Sequence, residues 1–270
     1  MEDAEAPGGS AARTAVVVGG GIGGLTAALT LARKGLGVTI LERAREFGEV
    51  GAGINVSPNG ARVLFALGLE QRLRDAAFLP EALELRTWRR AFPLLRTKLG
   101  ADVVARYGTP HFHHHRADLH RRLVDAVRAE PRIEVRLATG CTGIEQDPDC
   151  VQAITDAGAP VVADCLIGAD GIKSVVRQAL FGDDTPRFTG CVAWRGLIPA
   201  DAVDDAFGQP VVRNWVGPHA HVLNYYVRRG ELLNIVALVE QEDWVEESWT
   251  TPGDKADLLR RFEGWHPAVR

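Results

Sequence analysis

The chain is 270 residues long, 46% hydrophobic and 24% charged, with a formal net charge of −4. That length can bury one large core or two modest ones, and the interspersed Arg and acidic residues form no basic surface of the kind nucleic acid selects. Four cysteines, Cys141, Cys150, Cys165 and Cys191, lack metal-like spacing and a small secreted scaffold, so reduced thiols in a cytoplasmic protein are expected. No apolar run has the uninterrupted length of a membrane helix.

Residues 1–13, rich in Ala, Glu, Gly and Pro, read as a disordered leader. Thr14–Val18 has the composition of a buried strand and runs into Gly19-Gly20-Gly21-Ile22-Gly23-Gly24, five glycines in six positions. So dense a cluster costs backbone entropy, and it marks a place where positive φ or close backbone approach is required. A flexible linker does not fit, because Leu25, Ala28, Leu29 and Ala32 follow at helical spacing; a secretory signal does not fit the acidic leader. The helix ends near Lys34-Gly35, and a second strand, Gly37–Leu41, stops at Glu42. Strand, Gly19-x-Gly21-x-x-Gly24, helix, strand and acid together make the dinucleotide-binding fingerprint. The glycines serve the tight turn, the approach to a pyrophosphate and helix-on-sheet packing, while the acid takes the ribose hydroxyls. The fingerprint alone leaves FAD and NAD both open.

Glu46–Asn59 is expected to be a loop that carries Gly51-Ala52-Gly53-Ile54-Asn55 to a helix with Ala61, Leu64, Phe65 and Leu67, stopped by Gly68. Leu83–Arg89 and Val103–Tyr107 have strand character. A helix begins near Ala117 or Asp118 and presents Leu119, Leu123, Val124 and Val127 at helical spacing before Pro131. Ile133–Leu137 reads as a strand, and Val161–Gly168 as one apolar run suited to a buried sheet. From about Pro186 the texture changes: Val192–Ile198, Val211–Trp215, His221–Val227 and Leu232–Val239 are strand-like, with Arg229-Gly230 as a hairpin turn. The expected fold class is α/β. A Rossmann-like nucleotide domain covers residues 14–185, with inserted strands around 83–107, and a mixed or antiparallel sheet occupies 186–270.

Three further stretches carry chemistry. Gly168-Ala169-Asp170-Gly171 ends a strand and opens a helix with Arg177, an arrangement that taken alone is an ordinary strand-turn-helix. His221 and Tyr225 are four apart on a strand, so they share a face with Cα atoms about 13 Å apart, and two long side chains can bracket one aromatic ring. His219 has the same parity and is a rival base. His111, His113, His114 and His115 suggest a metal cluster, but no Cys or acidic ligand pattern completes it, and no metal is expected. Trp244, Trp249 and Trp265 are expected to pack.

Gly19-x-Gly21-x-x-Gly24 with Glu42, Gly51-Ala52-Gly53-Ile54 before Pro58-Asn59, Arg116-Ala117-Asp118-Leu119, and Gly168-Ala169-Asp170-Gly171 with Arg177 resemble the class A flavoprotein monooxygenases. The likeness is to the salicylate hydroxylase and 3-hydroxybenzoate 6-hydroxylase branch, from about Thr14 onward. This resemblance implies FAD as cofactor, NADH or NADPH as co-substrate, and hydroxylation of a small phenolic aromatic acid with O2 through a flavin C4a-hydroperoxide. It assigns Gly19, Gly21, Ile22, Gly24, Gly53, Glu42 and Arg116 to FAD, and Asp170 to the neighbourhood of the pyrophosphate. Arg43 and Arg177 are candidate phosphate helpers. It makes His221 and Tyr225 the catalytic pair, with His221 accepting the proton of the ring hydroxyl. A phenol ionises near pH 10, so such a base makes the ring more nucleophilic at neutral pH.

The family continues with a second flavin motif, a Gly-Asp pair followed by Ala-Ala-His-Pro or similar, which this sequence lacks, so a front portion of the enzyme is expected. Some relatives carry Gln or His where Asn55 stands. The other readings are a nucleotide-binding fragment without turnover and an NAD-dependent Rossmann oxidoreductase. A homodimer, without nucleic acid or membrane partners, is the expected assembly.

Overall fold

The computed structural model describes residues 13–48, 51–182, 186–203, 210–242 and 251–270. In chain order the first half forms β1 (Thr14–Val18), α1 (Ile22–Arg33), β2 (Gly37–Leu41), β3 (Gly53–Val56), α2 (Pro58–Ala66), α3 (Glu70–Arg74), β4 (Ala82–Thr87), β5 (Pro93–Lys98), α4 (Gly100–Tyr107), β6 (Phe112–His115) and α5 (Arg116–Arg128). The second half adds β7 (Ile133–Arg136), β8 (Cys141–Gln146), β9 (Val151–Thr155), β10 (Gly158–Ala163), β11 (Cys165–Gly168), α6 (Val175–Phe181), β12 (Cys191–Pro199), β13 (Val211–Gly217), β14 (Ala220–Val227), β15 (Leu232–Glu240) and α7 (Lys255–Arg261). Two compact units result, residues 1–48 with 123–186, and residues 49–122 with 187–270. This replaces the expected single division at 185/186. Residues 49–122 join the second unit because β4 pairs in parallel with β13, from Ala82 opposite Val211 to Thr87 opposite Val216. No helix among the described residues is long and apolar enough to cross a membrane.

In the first unit, the parallel order is β11-β1-β2-β7. Val16, Val17 and Ile40 are buried, as the β-branched composition requires of strands covered on both faces. The helix α1 turns Leu25, Ala28, Leu29 and Ala32 inward. The expected run Val161–Gly168 is broken at Asp164. Ala163 and the residues before it belong to an antiparallel sheet, β10-β9-β8, whereas β11 joins the parallel one. Asp164 makes the break useful, since its Oδ2 accepts from the Arg13 and Thr14 amides and the Thr14 hydroxyl, each at 2.8 Å, and so fixes where β1 starts.

The second unit is a mixed sheet, β12-β15-β14-β13-β4-β5, beside a β3-β6 ladder. Val103–Tyr107 is helical, not extended: it lies in α4, which Gly108 ends with φ +77. Val103, Val104 and Tyr107 fit helical spacing as well as strand composition, and a run this short does not separate the two. The expected 46–59 loop contains β3, formed by pairing with β6 about sixty residues on, a partner that local sequence does not reveal. Cross-strand partners share a sheet face. On one face Trp215, Val222, Ala237 and Val239 are sealed by Phe262 and Trp265. Trp265 therefore packs as expected, while Trp244 and Trp249 lie outside the described residues. His221, Leu223 and Tyr225 occupy the opposite face.

A Cβ added to Gly24 would stand 1.9 Å from the Gly19 carbonyl oxygen, whereas one added to Gly23 meets nothing within 4 Å. Gly24→Ala is expected to lower the urea midpoint sharply, by a free energy of about 2 kcal/mol or more, while Gly23→Ala leaves the midpoint unchanged or raises it. Equal midpoints for the two variants would contradict this packing.

Candidate active site

The glycine turn of the first unit is shaped by what its glycines can and cannot touch. Gly19 has φ +104, and its Cβ would lie 2.4 Å from the Ala169 carbonyl oxygen, so the β1–α1 and β11–α6 turns press together backbone to backbone. Gly21, by contrast, would carry a Cβ into open space, and it caps α1 with no side-chain hydrogen bond and no acid in the first turn. The leading amides of a twelve-residue helix that begins at Ile22 thus lie beside open space at Gly21. That is a fitted cradle for a phosphate group.

Glu42 follows β2 and reaches back to this turn. Its Oε2 accepts from the Gly20 amide at 2.7 Å and its Oε1 from the Ala44 amide at 2.9 Å. Arg43 is exposed in the bend beside it. Asp170 is committed locally: it accepts from the Ser174 hydroxyl at 2.6 Å and from the Val175 and Val176 amides at 2.7 and 3.2 Å, so its carboxylate caps α6. Arg177 donates to the Ile172 carbonyl at 2.7 Å and braces the same turn.

In the second unit, Gly53 opens β3 and donates its amide to Asn234 Oδ1 at 2.7 Å. A Cβ there would lie 2.6 Å from the Tyr225 phenol oxygen and 2.7 Å from Asn234 Cγ, so only glycine fits. Tyr225 is 3% exposed, and burial pushes its phenol up to about 12, with Arg195 pulling the other way. Its ring packs on His113 at a centroid separation of 4.5 Å. His221 is half-buried on β14, opposite Val216 and Leu238. His219 is not its equal: it lies on the β13–β14 turn with φ +55, exposed, with Nδ1 2.6 Å from Glu240 Oε2. Arg116 starts α5 and donates its amide to the Ala52 carbonyl, and its charge, after burial, helps lower the Arg195 guanidinium. Burial would raise Asp118, but Arg228, bonded through two nitrogens at 2.7 and 3.1 Å, outweighs it and holds the carboxyl below its ordinary value.

The chain matches the family described as FAD binding domain over residues 12–250. It belongs to that family of flavoprotein monooxygenases. Among curated relatives it is 41% identical to the 3-amino-4-hydroxybenzoate 2-monooxygenase PtnB3 of Streptomyces platensis, over 94% of this chain and 63% of that protein. It is 38% identical to the 3-hydroxybenzoate 6-hydroxylase of Klebsiella oxytoca, over 95% and 64%. Among solved structures it superposes on Klebsiella pneumoniae HpxO complexed with FAD and uric acid, with a TM-score of 0.80 at 29% identity, over 95% of this chain and 63% of that one. A salicylate hydroxylase substrate complex gives 0.76 at 26%, over 95% and 64%. The chain thus spans less than two thirds of the length of these flavoproteins.

Two site residues escaped the sequence reading. Asn234 is 0% exposed within the otherwise apolar stretch 232–239 of β15, and Arg195 sits on β12, on the face that carries Tyr225. A lone polar residue in each apolar strand was the available signal. The histidine run turned out to be buried: His113, His114 and His115 are 0, 0 and 7% exposed. Burial takes His113 down to about 3, His111 adding to it, and His114 down to about 4, with Arg122 adding and Asp118 opposing.

For His114 the folded value lies below the ordinary 6.5, so the unfolded chain binds more protons between pH 6.5 and 4. Its contribution is complete above 6.5 and is lost as pH falls toward 4, by about 3 kcal/mol. Urea titrations from pH 7 to 4.5 should show a stability slope that His114→Phe reduces by about one proton. An unchanged slope would place the titration elsewhere.

Proposed function

We propose that the chain is the FAD- and substrate-binding portion of a hydroxylase that uses O2 and NADH or NADPH to hydroxylate a small phenolic aromatic acid in the cytoplasm. The observation that carries this reading is the placing of His221, half-buried, and Tyr225, buried, four apart on one face of β14, opposite the face that the Phe262 and Trp265 segment seals. FAD, when bound, supplies electron transfer from the nicotinamide and the activation of oxygen.

The residues present fit that cofactor. The open space before Gly21 and the uncapped α1 amides suit the pyrophosphate, and Glu42 is placed to take ribose hydroxyls in exchange for its Gly20 and Ala44 amides. Within the same unit, Arg43 and Arg177 offer positive charge to the phosphates. Asp170 serves indirectly by holding the turn against Gly19.

On the sheet, His221 accepts the proton of the substrate hydroxyl, which raises electron density at the carbon to be oxygenated. Tyr225 remains protonated at neutral pH because burial raises it to about 12, so it serves as a hydrogen-bond donor. Apolar Leu223 between them bears on the ring and keeps water from it.

Purified chain mixed with FAD and freed of excess should retain a flavin absorbance spectrum, and Glu42→Ala should weaken that retention about ten-fold. A colourless protein, or unchanged retention in the variant, would remove the FAD reading or the Glu42 role respectively. In the holoenzyme, His221→Ala is expected to slow hydroxylation of hydroxybenzoates at least a hundred-fold while leaving flavin reduction by NAD(P)H within a few-fold. Equal losses in both steps would take His221 out of the base role.

A further inference from the structure

We propose that Asn234 is a positioning residue that fixes the direction of the Tyr225 hydroxyl, making Tyr225 an obligate donor to an anionic oxygen of the bound ligand. This rests on the hydroxylase reading for the identity of the ligand, but not for the contact between the two residues.

Asn234 is fully buried in a strand whose neighbours from Leu232 to Val239 are otherwise apolar, so its amide needs a reason to be there. One half of the reason is visible. The Gly53 amide can only donate, and it reaches Asn234 at 2.7 Å, which makes the receiving atom Oδ1 and settles which way the side-chain amide is turned. The Nδ2 group then points to the other side, where it is buried with no hydrogen-bond partner among the described residues. Leaving such a donor unpaired is costly.

Tyr225 is the direct cross-strand partner of Asn234. The point where a Gly53 Cβ would stand lies 2.6 Å from the phenol oxygen and 2.7 Å from the Asn234 amide carbon, so the two groups flank one small space. Gly53 itself adds no side chain to that space. A phenol carries one proton and two lone pairs, and this one keeps its proton through neutral pH. The contact we propose has that oxygen accept from Nδ2–H. Once the oxygen accepts there, its own hydrogen must point away from Asn234. His113, packed on the phenol ring and held neutral by burial, limits the ring to this setting. Arg195 shares the face and favours negative charge near the phenol. The outward proton therefore meets a phenolate or carboxylate oxygen in preference to a ligand group that needs an acceptor.

The test uses the FAD-loaded chain with 3-hydroxybenzoate as probe, by titration calorimetry. Asn234→Asp keeps an acceptor for the Gly53 amide but removes the Nδ2 donor and draws the phenol proton inward. It is expected to weaken binding about ten-fold, as is Tyr225→Phe, and the double variant should bind no worse than Tyr225→Phe alone. Losses that multiply in the double variant would mean that Asn234 acts independently of Tyr225, and would overturn the proposal. A ligand-free readout runs beside it. The chain has three tyrosines, so 13Cζ-tyrosine labelling resolves each. The Tyr225 resonance should move in both Asn234→Asp and Asn234→Ala while that of Tyr107 stays, and an unmoved Tyr225 resonance would also overturn the proposal. If the wild-type chain binds no hydroxybenzoate, the hydroxylase reading fails, and the resonances alone decide the Asn234 contact.

Discussion

At a few points in this protein the chain passes so close to its neighbours that a Cβ has no room, and both units are organised around that constraint. In the first, Gly24 lies against the Gly19 carbonyl and Gly19 against Ala169, so the turn after β1 and the turn after β11 form one compact mouth at the carboxyl ends of adjacent parallel strands. In the second, Gly53 lies against Tyr225 and Asn234, which lets β3 begin on top of the sheet residues expected to meet a ligand. The glycines cost entropy in the unfolded chain, and the chain recovers that cost only through contacts a Cβ would forbid.

The polar groups follow from these approaches. Asp170, which the resemblance puts near the pyrophosphate, and Asp164 are each used to fix a strand or helix end, Asp164 at the start of β1 and Asp170 at the start of α6. Glu42 differs because its two acceptor contacts are to backbone amides outside any strand or helix, Gly20 in the glycine turn and Ala44 in the bend after β2. In the second unit, burial keeps His113 and His114 neutral and Tyr225 protonated, and Arg195 stands on the face that carries Tyr225.

Local rules account for the βαβ unit and its glycine turn, because Thr14–Val18, the helical spacing of Leu25 to Ala32 and Glu42 all fall within about thirty residues. They also account for the alternation that puts His221 and Tyr225 on one face. Long-range pairing divides Val161–Gly168 between two sheets, forms β3, and joins residues 49–122 to the second unit. Each of these depends on a partner strand remote in the chain: Thr14 and Arg13 for Asp164, Phe112–His115 for β3, Val211–Val216 for β4. The same holds for Asn234, whose neighbour Gly53 is 181 residues away. Periodicity reports which face a residue takes, whereas the atom it meets there is set by long-range pairing.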